Sequence, residues 1–231
     1  MFTLRHNAPE KLVAGLVYAT GVESTVEIPG FRDRVAELVR VRSEGLSDED
    51  DTFRKLVRDI FRNGRYKPTG RGKPASEYLL RSAIEGTFPE INTVVDICNY
   101  ISLRSLMPVS IWDVDRSGSN RFCIRLGQPG EEYIFNSSGQ TIGLEDLIVG
   151  CVVTPERPDG KPIVNAVKDS MTTKTTDSTS QTAAIVYGPS GDSHLERLTS
   201  CCREYAILLG SCGPSASAAF RILRSGEEIQ I

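Results

Sequence analysis

The chain has 231 residues, of which 39% are hydrophobic and 25% are charged, and its formal net charge is −3. This composition is typical of a globular protein and excludes a chain that is disordered throughout. It also excludes binding of polyanions through bulk charge, and no apolar run approaches the roughly 20 residues of a membrane helix. Residues 1–6 lack the regions of a signal peptide, so we expect a cytoplasmic protein with no membrane partner.

The first half of the chain predicts mainly helices. Lys11–Thr20 is a short apolar run with β-branched residues, which is typical of a buried strand. Beyond it, apolar side chains recur at helical spacing. The expected helices cover 31–41, a segment from the acidic turn at 47–51 to near Asn63-Gly64, 74–84, and the segment after Pro89.

The second half predicts strands separated by clusters of Gly, Pro, Asn and Ser. The expected strands are 109–114, 122–126, 132–135, 150–154, 163–167 and 183–187. Residues 174–181 form a polar loop, 192–209 an amphipathic helix, and 220–231 a final strand or hairpin. Together the elements predict an α+β (mixed α/β) fold, with a helix-rich N-terminal half wrapped on a curved, mostly antiparallel β-sheet.

Cysteine and histidine usage favours neither disulfides nor a metal site. The six cysteines form no CxxC pair, so we expect free, buried thiols. The two histidines, His6 in a terminus expected to fray and His194 after a flexible loop, are expected at the surface and show no zinc-ligand spacing. Nucleotide-binding glycine motifs are absent as well, and we expect neither a cofactor nor a metal.

A basic stripe runs through residues 54–81, where nine Lys and Arg residues face only Asp59 and Glu77. Such a stripe on a mildly acidic protein is either a footprint for phosphates or a solvated helix face and loop. Its candidate phosphate-binding residues are Arg62, Arg65, Lys67, Arg71 and Lys73.

Two further segments place polar residues within apolar surroundings. Asn92, Asp96 and Asn99 recur at helical spacing, and they either brace neighbouring loops or form part of a site. In the next predicted strand, alternation places Ser110 and Trp112 on the same face.

These segments resemble the B3/B4 editing module of the phenylalanyl-tRNA synthetase beta subunit. The first reads INTVVDICNY over residues 91–100, and the second reads PVSIWDVD over residues 108–115. A third, RYKPTGRGKPASEYL over residues 65–79, is similar to a stretch of free-standing relatives. The resemblance covers roughly residues 50–190. Residues 1–50 add a strand and a helix layer, and 191–231 add a helix and a strand to one expected domain of residues 1–231.

In that family the module hydrolyses tyrosine wrongly attached to phenylalanine tRNA. The resemblance implies a site in which Cys98 stands for the family Thr, Asn99 keeps the family Asn, and Ser110 replaces the family His. The family's distal Glu has no clear counterpart. We therefore expect Asn99 and Ser110 as catalytic residues, and Cys98, Asp169 and Ser170 as substrate-binding residues around a shared cavity.

The resemblance implies a free-standing aminoacyl-tRNA hydrolase, whose partner is the aminoacylated acceptor end of tRNA and not DNA. Segments for ATP, phenylalanine and anticodon binding are missing, so the chain is not expected to be a complete ligase. Two alternatives stay open: a non-catalytic RNA or tRNA binder, and a protein that binds a small amino acid derivative. The amino acid, the tRNA and the oligomeric state are not predicted.

Overall fold

A computed structural model describes all residues from 1 to 231. Two strands and four helices make up the N-terminal half; the sequence predicts the four helices and the second strand but not the first. They are β1 (Thr3–His6), β2 (Leu12–Thr20), α1 (Phe31–Ser43), α2 (Asp48–Asp59), α3 (Ala75–Ile84) and α4 (Thr93–Ser105). Ser47 caps α2 by accepting a hydrogen bond from Asp50 N–H at 3.1 Å. Four acidic residues in the first turn stabilise the helix by interacting favourably with the positive end of its dipole.

Strands dominate the second half. They are β3 (Val109–Asp113), β4 (Arg121–Leu126), β5 (Glu132–Ile134), β6 (Thr141–Gly143), β7 (Ile148–Thr154), β8 (Arg157–Asn165), β9 (Gln181–Pro189), β10 (Ser217–Leu223) and β11 (Glu228–Gln230). Two helices lie between them, the single turn α5 (Val114–Ser117) and the long α6 (Asp192–Gly210). No helix is both long and apolar enough to cross a membrane.

The strands form two main sheets and one small hairpin. The four-stranded sheet has the order β10-β2-β9-β3, the five-stranded sheet has the order β11-β1-β4-β7-β8, and β5 pairs with β6. All pairings are antiparallel except β1 with β4. The predicted α+β class with mostly antiparallel strands is confirmed, although the strands are divided between two sheets.

Aromatic side chains fill the space between the two main sheets. The ring of Phe2 lies 4.9 Å from that of Phe122 and 4.8 Å from that of Tyr18, and Trp112 lies 5.2 Å from Phe122. On the other face of the four-stranded sheet, α6 packs over β2 so closely that a Cβ at Gly15 would lie 2.2 Å from the Cys202 sulfur. Helices, the four-stranded sheet and the five-stranded sheet therefore form three successive layers.

The N-terminus differs from the expectation. Residues 3–6 form β1, and His6 is completely buried, with Nε2 3.2 Å from the carbonyl oxygen of Leu12. Phe2 and Ile231 exchange two backbone hydrogen bonds of 3.0 Å, so the segments that contain them are joined. The prediction that His6 lies in a frayed, exposed terminus is therefore wrong, because pairing with β4 and β11 orders this segment.

The cysteine prediction is confirmed. All six cysteines are free and buried. Nowhere in residues 1–231 do three or more His, Cys, Asp or Glu side chains gather in a group that could hold a metal ion.

Candidate functional site

A buried polar cluster joins β3 to the loop that follows β8. The Ser110 hydroxyl donates to the Asn165 carbonyl oxygen at 2.8 Å and accepts from the Tyr187 hydroxyl at 3.1 Å. Next to it, the Asp169 carboxylate accepts hydrogen bonds from the backbone N–H of Ile111 at 3.3 Å and of Asn165 at 3.2 Å. The fold thus brings together Ser110 and Asp169, which are far apart in the sequence.

The side chain of Asn165 fixes the loop that carries Asp169. Its Oδ1 accepts from the backbone N–H of Val167 at 2.7 Å and of Lys168 at 2.9 Å, an arrangement typical of a side-chain-stabilised turn. Its Nδ2 donates to the Tyr133 hydroxyl at 2.6 Å, and that hydroxyl donates to the Lys168 carbonyl at 2.7 Å. These bonds fix the loop in addition to the two hydrogen bonds that the Asp169 carboxylate itself accepts.

Burial dominates the electrostatics of the cluster. It raises the pKa of Asp169 from 3.8 to about 7, even though hydrogen bonds and Lys174 favour the ionised form. Burial, followed by the Asp169 charge, raises the pKa of the Cys98 thiol to about 12. Near neutral pH the Asp169 carboxyl can therefore both accept and release a proton, whereas Cys98 stays a neutral thiol.

Ser110 does not edge an open cavity. Its side chain is fully buried, and its hydroxyl already has two partners within the protein. The expectation that this hydroxyl faces a shared cavity is wrong, because the five-stranded sheet and its following loop cover this face of β3. A prediction made from alternation alone identifies the face of a strand and not what covers it.

The remaining predicted site residues differ in accessibility. Cys98 is buried, with its sulfur 3.9 Å from the Val109 carbonyl oxygen, and Ser170 is buried and accepts from Thr172 N–H at 3.2 Å. Asn99 and Asp169 are half-buried, and the Asn99 amide makes no hydrogen bond within the protein. Since Cys98 packs on β3, where Ile111 holds Asp169, four of the predicted residues (Cys98, Ser110, Asp169 and Ser170) lie in one region. No hydrogen bond joins Asn99 to them, and its role stays a prediction.

The basic stripe divides into a paired and an unpaired part. Its helical members are neutralised by carboxylates: Arg54 and Arg58 by Glu77, Lys55 by Asp51, Arg62 by Asp59 at 2.8 Å, and Arg81 by Glu85 at 2.7 Å. The cations without an ion pair are Arg65, Lys67, Arg71 and Lys73. They all lie in the loop between α2 and α3, which we call the basic loop (residues 65–73).

A backbone hydrogen bond directly after the basic loop joins the chain to the segment that carries Asp169. Ala75 N–H, two residues after Lys73, donates to the carbonyl oxygen of Ala166, three residues before Asp169, at 2.8 Å. The loop itself is braced by the Tyr66 hydroxyl, which donates to the Gly72 carbonyl, and by Tyr78, whose hydroxyl lies 3.2 Å from the Gly70 carbonyl oxygen. The basic loop therefore leads directly into a backbone contact with the segment that carries the ionisable Asp169 carboxyl.

Reasoning from sequence missed three residues of the cluster. Tyr133 and Tyr187 lie in apolar runs that are typical of core strands, and Asn165 ends such a run. No local pattern distinguishes the two tyrosine hydroxyls from ordinary core residues. Asn165 is the exception, because an Asn within the apolar run 163–167 is a polar group that needs a buried partner.

Comparisons with known proteins identify the family of this chain. A family described as the B3/4 domain matches residues 67–188, which is more than half of the chain. The phenylalanine–tRNA ligase beta subunit of Halalkalibacterium halodurans is 25% identical over 129 residues, 53% of this chain. The chain spans only 16% of the length of that relative.

Among solved structures, an N-terminal fragment of the phenylalanyl-tRNA synthetase beta subunit from Pyrococcus horikoshii matches with a TM-score of 0.43. Its sequence is 11% identical, and the match covers 56% of this chain and 43% of the fragment. The matched family segment contains the basic loop from Lys67 onward, α3, α4 and the whole Asp169 cluster. The chain belongs to the B3/4 domain family.

Proposed function

We propose that this protein is a free-standing editing protein of the cytoplasm, which binds the aminoacylated acceptor end of tRNA and hydrolyses the ester bond of a mischarged tRNA. Membership of the B3/4 domain family supports this proposal, as does the relative that is a beta subunit of a tRNA ligase. Residues 1–231 are proposed to act as one domain, because a single core of 46 buried residues runs from Phe2 to Leu223.

The observation that carries the proposal is the hydrogen bond that joins the start of α3, directly after the basic loop, to the segment that carries Asp169. The Ala75–Ala166 hydrogen bond links the end of a loop with four unpaired cations to the segment that holds a half-buried carboxyl. Phosphates attract such cations, and a carboxyl whose pKa lies near 7 is suited to transfer protons at neutral pH. A nucleic acid that ends in an ester presents both chemistries at one end.

Ester hydrolysis at this place needs one water molecule and a base. In the proposed step, the Asp169 carboxylate accepts a proton while the water oxygen attacks the ester carbonyl carbon. The bond from that carbon to the ribose oxygen then breaks, and the proton passes to the ribose oxygen as the leaving hydroxyl. The products are the free amino acid and uncharged tRNA. The unpaired Asn99 amide is a candidate donor to the carbonyl oxygen.

Ser110 takes a positioning role in this proposal. It does not reach solvent, but its hydroxyl binds the Asn165 carbonyl, and Asn165 holds the Asp169 loop. Cys98 and Ser170 similarly form the buried floor beneath Asp169. The phosphates are proposed to meet Arg65, Lys67, Arg71 and Lys73. Arg62 is a weaker candidate because it already pairs with Asp59.

A deacylation assay over a panel of mischarged tRNAs tests the proposal. We expect the protein to release the amino acid from at least one of them well above the spontaneous rate. Asp169→Asn and Asn99→Ala should reduce that rate by about 100-fold, which is the usual contribution of a positioned acid or base group. Arg81→Ala, which removes an ion-paired cation of the stripe, is the matched control and should retain activity. No acceleration on any tRNA of the panel would refute the hydrolase.

The non-catalytic RNA binder is the second candidate, because the buried Ser110 hydroxyl leaves the site with few reactive groups. Binding of uncharged tRNA at several salt concentrations distinguishes the two RNA-binding hypotheses from a protein that binds only a small molecule. The logarithm of affinity should fall linearly with the logarithm of salt concentration. Replacing Arg71 and Lys73 by alanine should flatten that slope by about 1.4, since each lost phosphate contact on a single strand contributes about 0.7. Binding that does not depend on salt would contradict both RNA readings.

A further inference from the structure

A surface cleft lies away from the Asp169 cluster and shares no residue with it. It is a cleft of about 720 Å³ between α1, the segment before it, and the chain that leads into α4. Sites for small molecules have volumes of roughly 300–1,000 Å³, so this cleft has the size of a ligand site. The B3/4 family segment contributes one wall, and residues outside that segment contribute the other.

One part of the cleft carries unneutralised negative charge. Glu90, Asp96 and Asp177 line it and form no salt bridge, whereas Glu27 lies 3.5 Å from Arg32, the only basic residue of the lining. Asp96 is half-buried, and its Oδ1 accepts from Ile91 N–H at 2.8 Å. Burial and the neighbouring Glu90 raise the pKa of Asp96, although the Ile91 N–H and the charge of Arg32 act in the opposite direction. The ionised carboxyl is therefore disfavoured on balance, and a bound cation would relieve this cost.

The start of α4 does not offer the cleft an anion site. Thr93 N–H donates to the Ser24 carbonyl at 2.9 Å, and the Asn92 side chain accepts from Val95 N–H at 3.1 Å. Asp96 N–H is also used, by the Asn92 carbonyl at 2.8 Å. With these donors occupied and three carboxylates nearby, an anionic ligand would meet repulsion without compensating hydrogen bonds.

The rest of the cleft is apolar. Phe31, Val35 and Phe88 line it, and Ile91 at its edge exposes 63% of its surface. An apolar ligand body would cover these side chains and gain from the removal of apolar surface from water. The lining therefore combines an apolar wall with an acidic end.

We propose that this cleft binds a small organic amine, with its ammonium group at Asp96 and its apolar body against Phe31 and Phe88. The occupant is a compact cation and not a zwitterion, because a carboxylate on the ligand would approach Glu90 and Asp177. This proposal does not depend on the proposed editing function, since it uses none of the residues of the Asp169 cluster or of the basic loop.

The test uses four probes that separate charge from apolar body: benzylamine, benzyl alcohol, benzoate and methylamine. Binding is followed by the amide NMR shifts of the labelled protein, which also locate the site. We expect benzylamine to shift signals of Phe88, Ile91 and Asp96 with a Kd of about 1 mM. Benzyl alcohol and methylamine should bind about tenfold more weakly, and benzoate should not shift these signals.

Two variants test the assignment of the residues. Asp96→Asn keeps an oxygen for Ile91 N–H but removes the charge, and it should weaken benzylamine about tenfold without affecting benzyl alcohol. Asp159→Asn changes an exposed carboxyl outside the cleft and should leave binding unchanged. Ala36 is an exposed residue of α1 that lines the cleft, so Ala36→Trp places an indole there. This variant should abolish binding while its NMR spectrum remains that of a folded protein.

Any one of three outcomes would overturn the proposal: benzoate binding as tightly as benzylamine, benzylamine shifting signals only outside the cleft, or Asp96→Asn binding benzylamine as the wild type does. Deacylation of tRNA by the same samples reports separately on the editing function. Failure of either proposal is therefore visible without the other.

Discussion

The half-buried carboxyl of Asp169 should make stability depend on pH in a way that one substitution removes. A rise of its pKa from 3.8 to about 7 corresponds to about 4 kcal/mol by which the folded protein disfavours the ionised form. The folded protein holds this proton more tightly than the unfolded chain does. The associated stability is therefore complete below about pH 3.8 and is lost as the pH rises through about 7.

Asp169→Asn removes the titration but keeps one oxygen that can accept from Ile111 or Asn165 N–H. The free energy of unfolding of the variant minus that of the wild type should increase by up to about 4 kcal/mol between about pH 4 and pH 7, and then level off. Taking this difference cancels the contributions of other carboxyls, because they are the same in both proteins. Asp50 and Glu131 are examples, since their lowered pKa values make the fold less stable at acid pH.

Urea denaturation of both proteins over this pH range measures the difference directly. Asp159→Asn, a change of an exposed carboxyl without a side-chain partner, is the control and should give a difference that hardly varies with pH. A constant difference for Asp169→Asn would refute the reasoning, because it would mean that Asp169 ionises in the folded protein as it does in the unfolded chain. An editing rate that rises with pH through about 7 would connect the same titration to catalysis.

Two further predictions concern packing and charge. Glu77→Gln should lower the free energy of unfolding, measured by urea denaturation, by about 2–3 kcal/mol, because a buried carboxylate that pairs with two arginines is lost. The control Glu85→Gln removes an exposed carboxylate and should lower it by less than about 0.5 kcal/mol. Equal effects of the two changes would contradict the importance of burial. Gly15→Ala should lower the free energy of unfolding by about 1–3 kcal/mol and should also lower Tm, because the added Cβ would collide with the Cys202 sulfur. Gly210→Ala, whose added Cβ would have no neighbouring side chain within 4 Å, should be neutral.

The fold was predictable wherever one periodicity persisted over a whole element. The helix α2 shows this, since Ser47 and the acidic turn mark its beginning and Phe53 and Val57 its buried face. The strand β1 was missed, because four residues at the N-terminus carry no pattern and gain order only by pairing with β4 and β11. The burial of His6 is decided by the same distant pairings.

The candidate site was predictable in some of its residues and not in its contacts. Ser110 and Asp169 were named from the sequence, and the fold brings them together on β3 and the loop after β8, whereas the place of Asn99 in the site stays a prediction. It did not identify Tyr187 or Asn165, because the partner of Ser110 depends on how two sheets stack. Similarly, pairing of Arg81 with Glu85 follows from helical spacing, whereas pairing of Arg54 with Glu77 requires the packing of α2 near α3.

The pairing of β1 with β11 has a consequence for synthesis on the ribosome. β1 (Thr3–His6) and its antiparallel neighbour β11 (Glu228–Gln230) are more than 200 residues apart, so β1 leaves the ribosome long before β11 is synthesised. Until β11 has been translated, one edge of β1 keeps unpaired backbone groups and remains open to strands of other nascent chains. The five-stranded sheet is therefore completed only after β11 emerges, and before that point the nascent chain depends most on dilution or on chaperones.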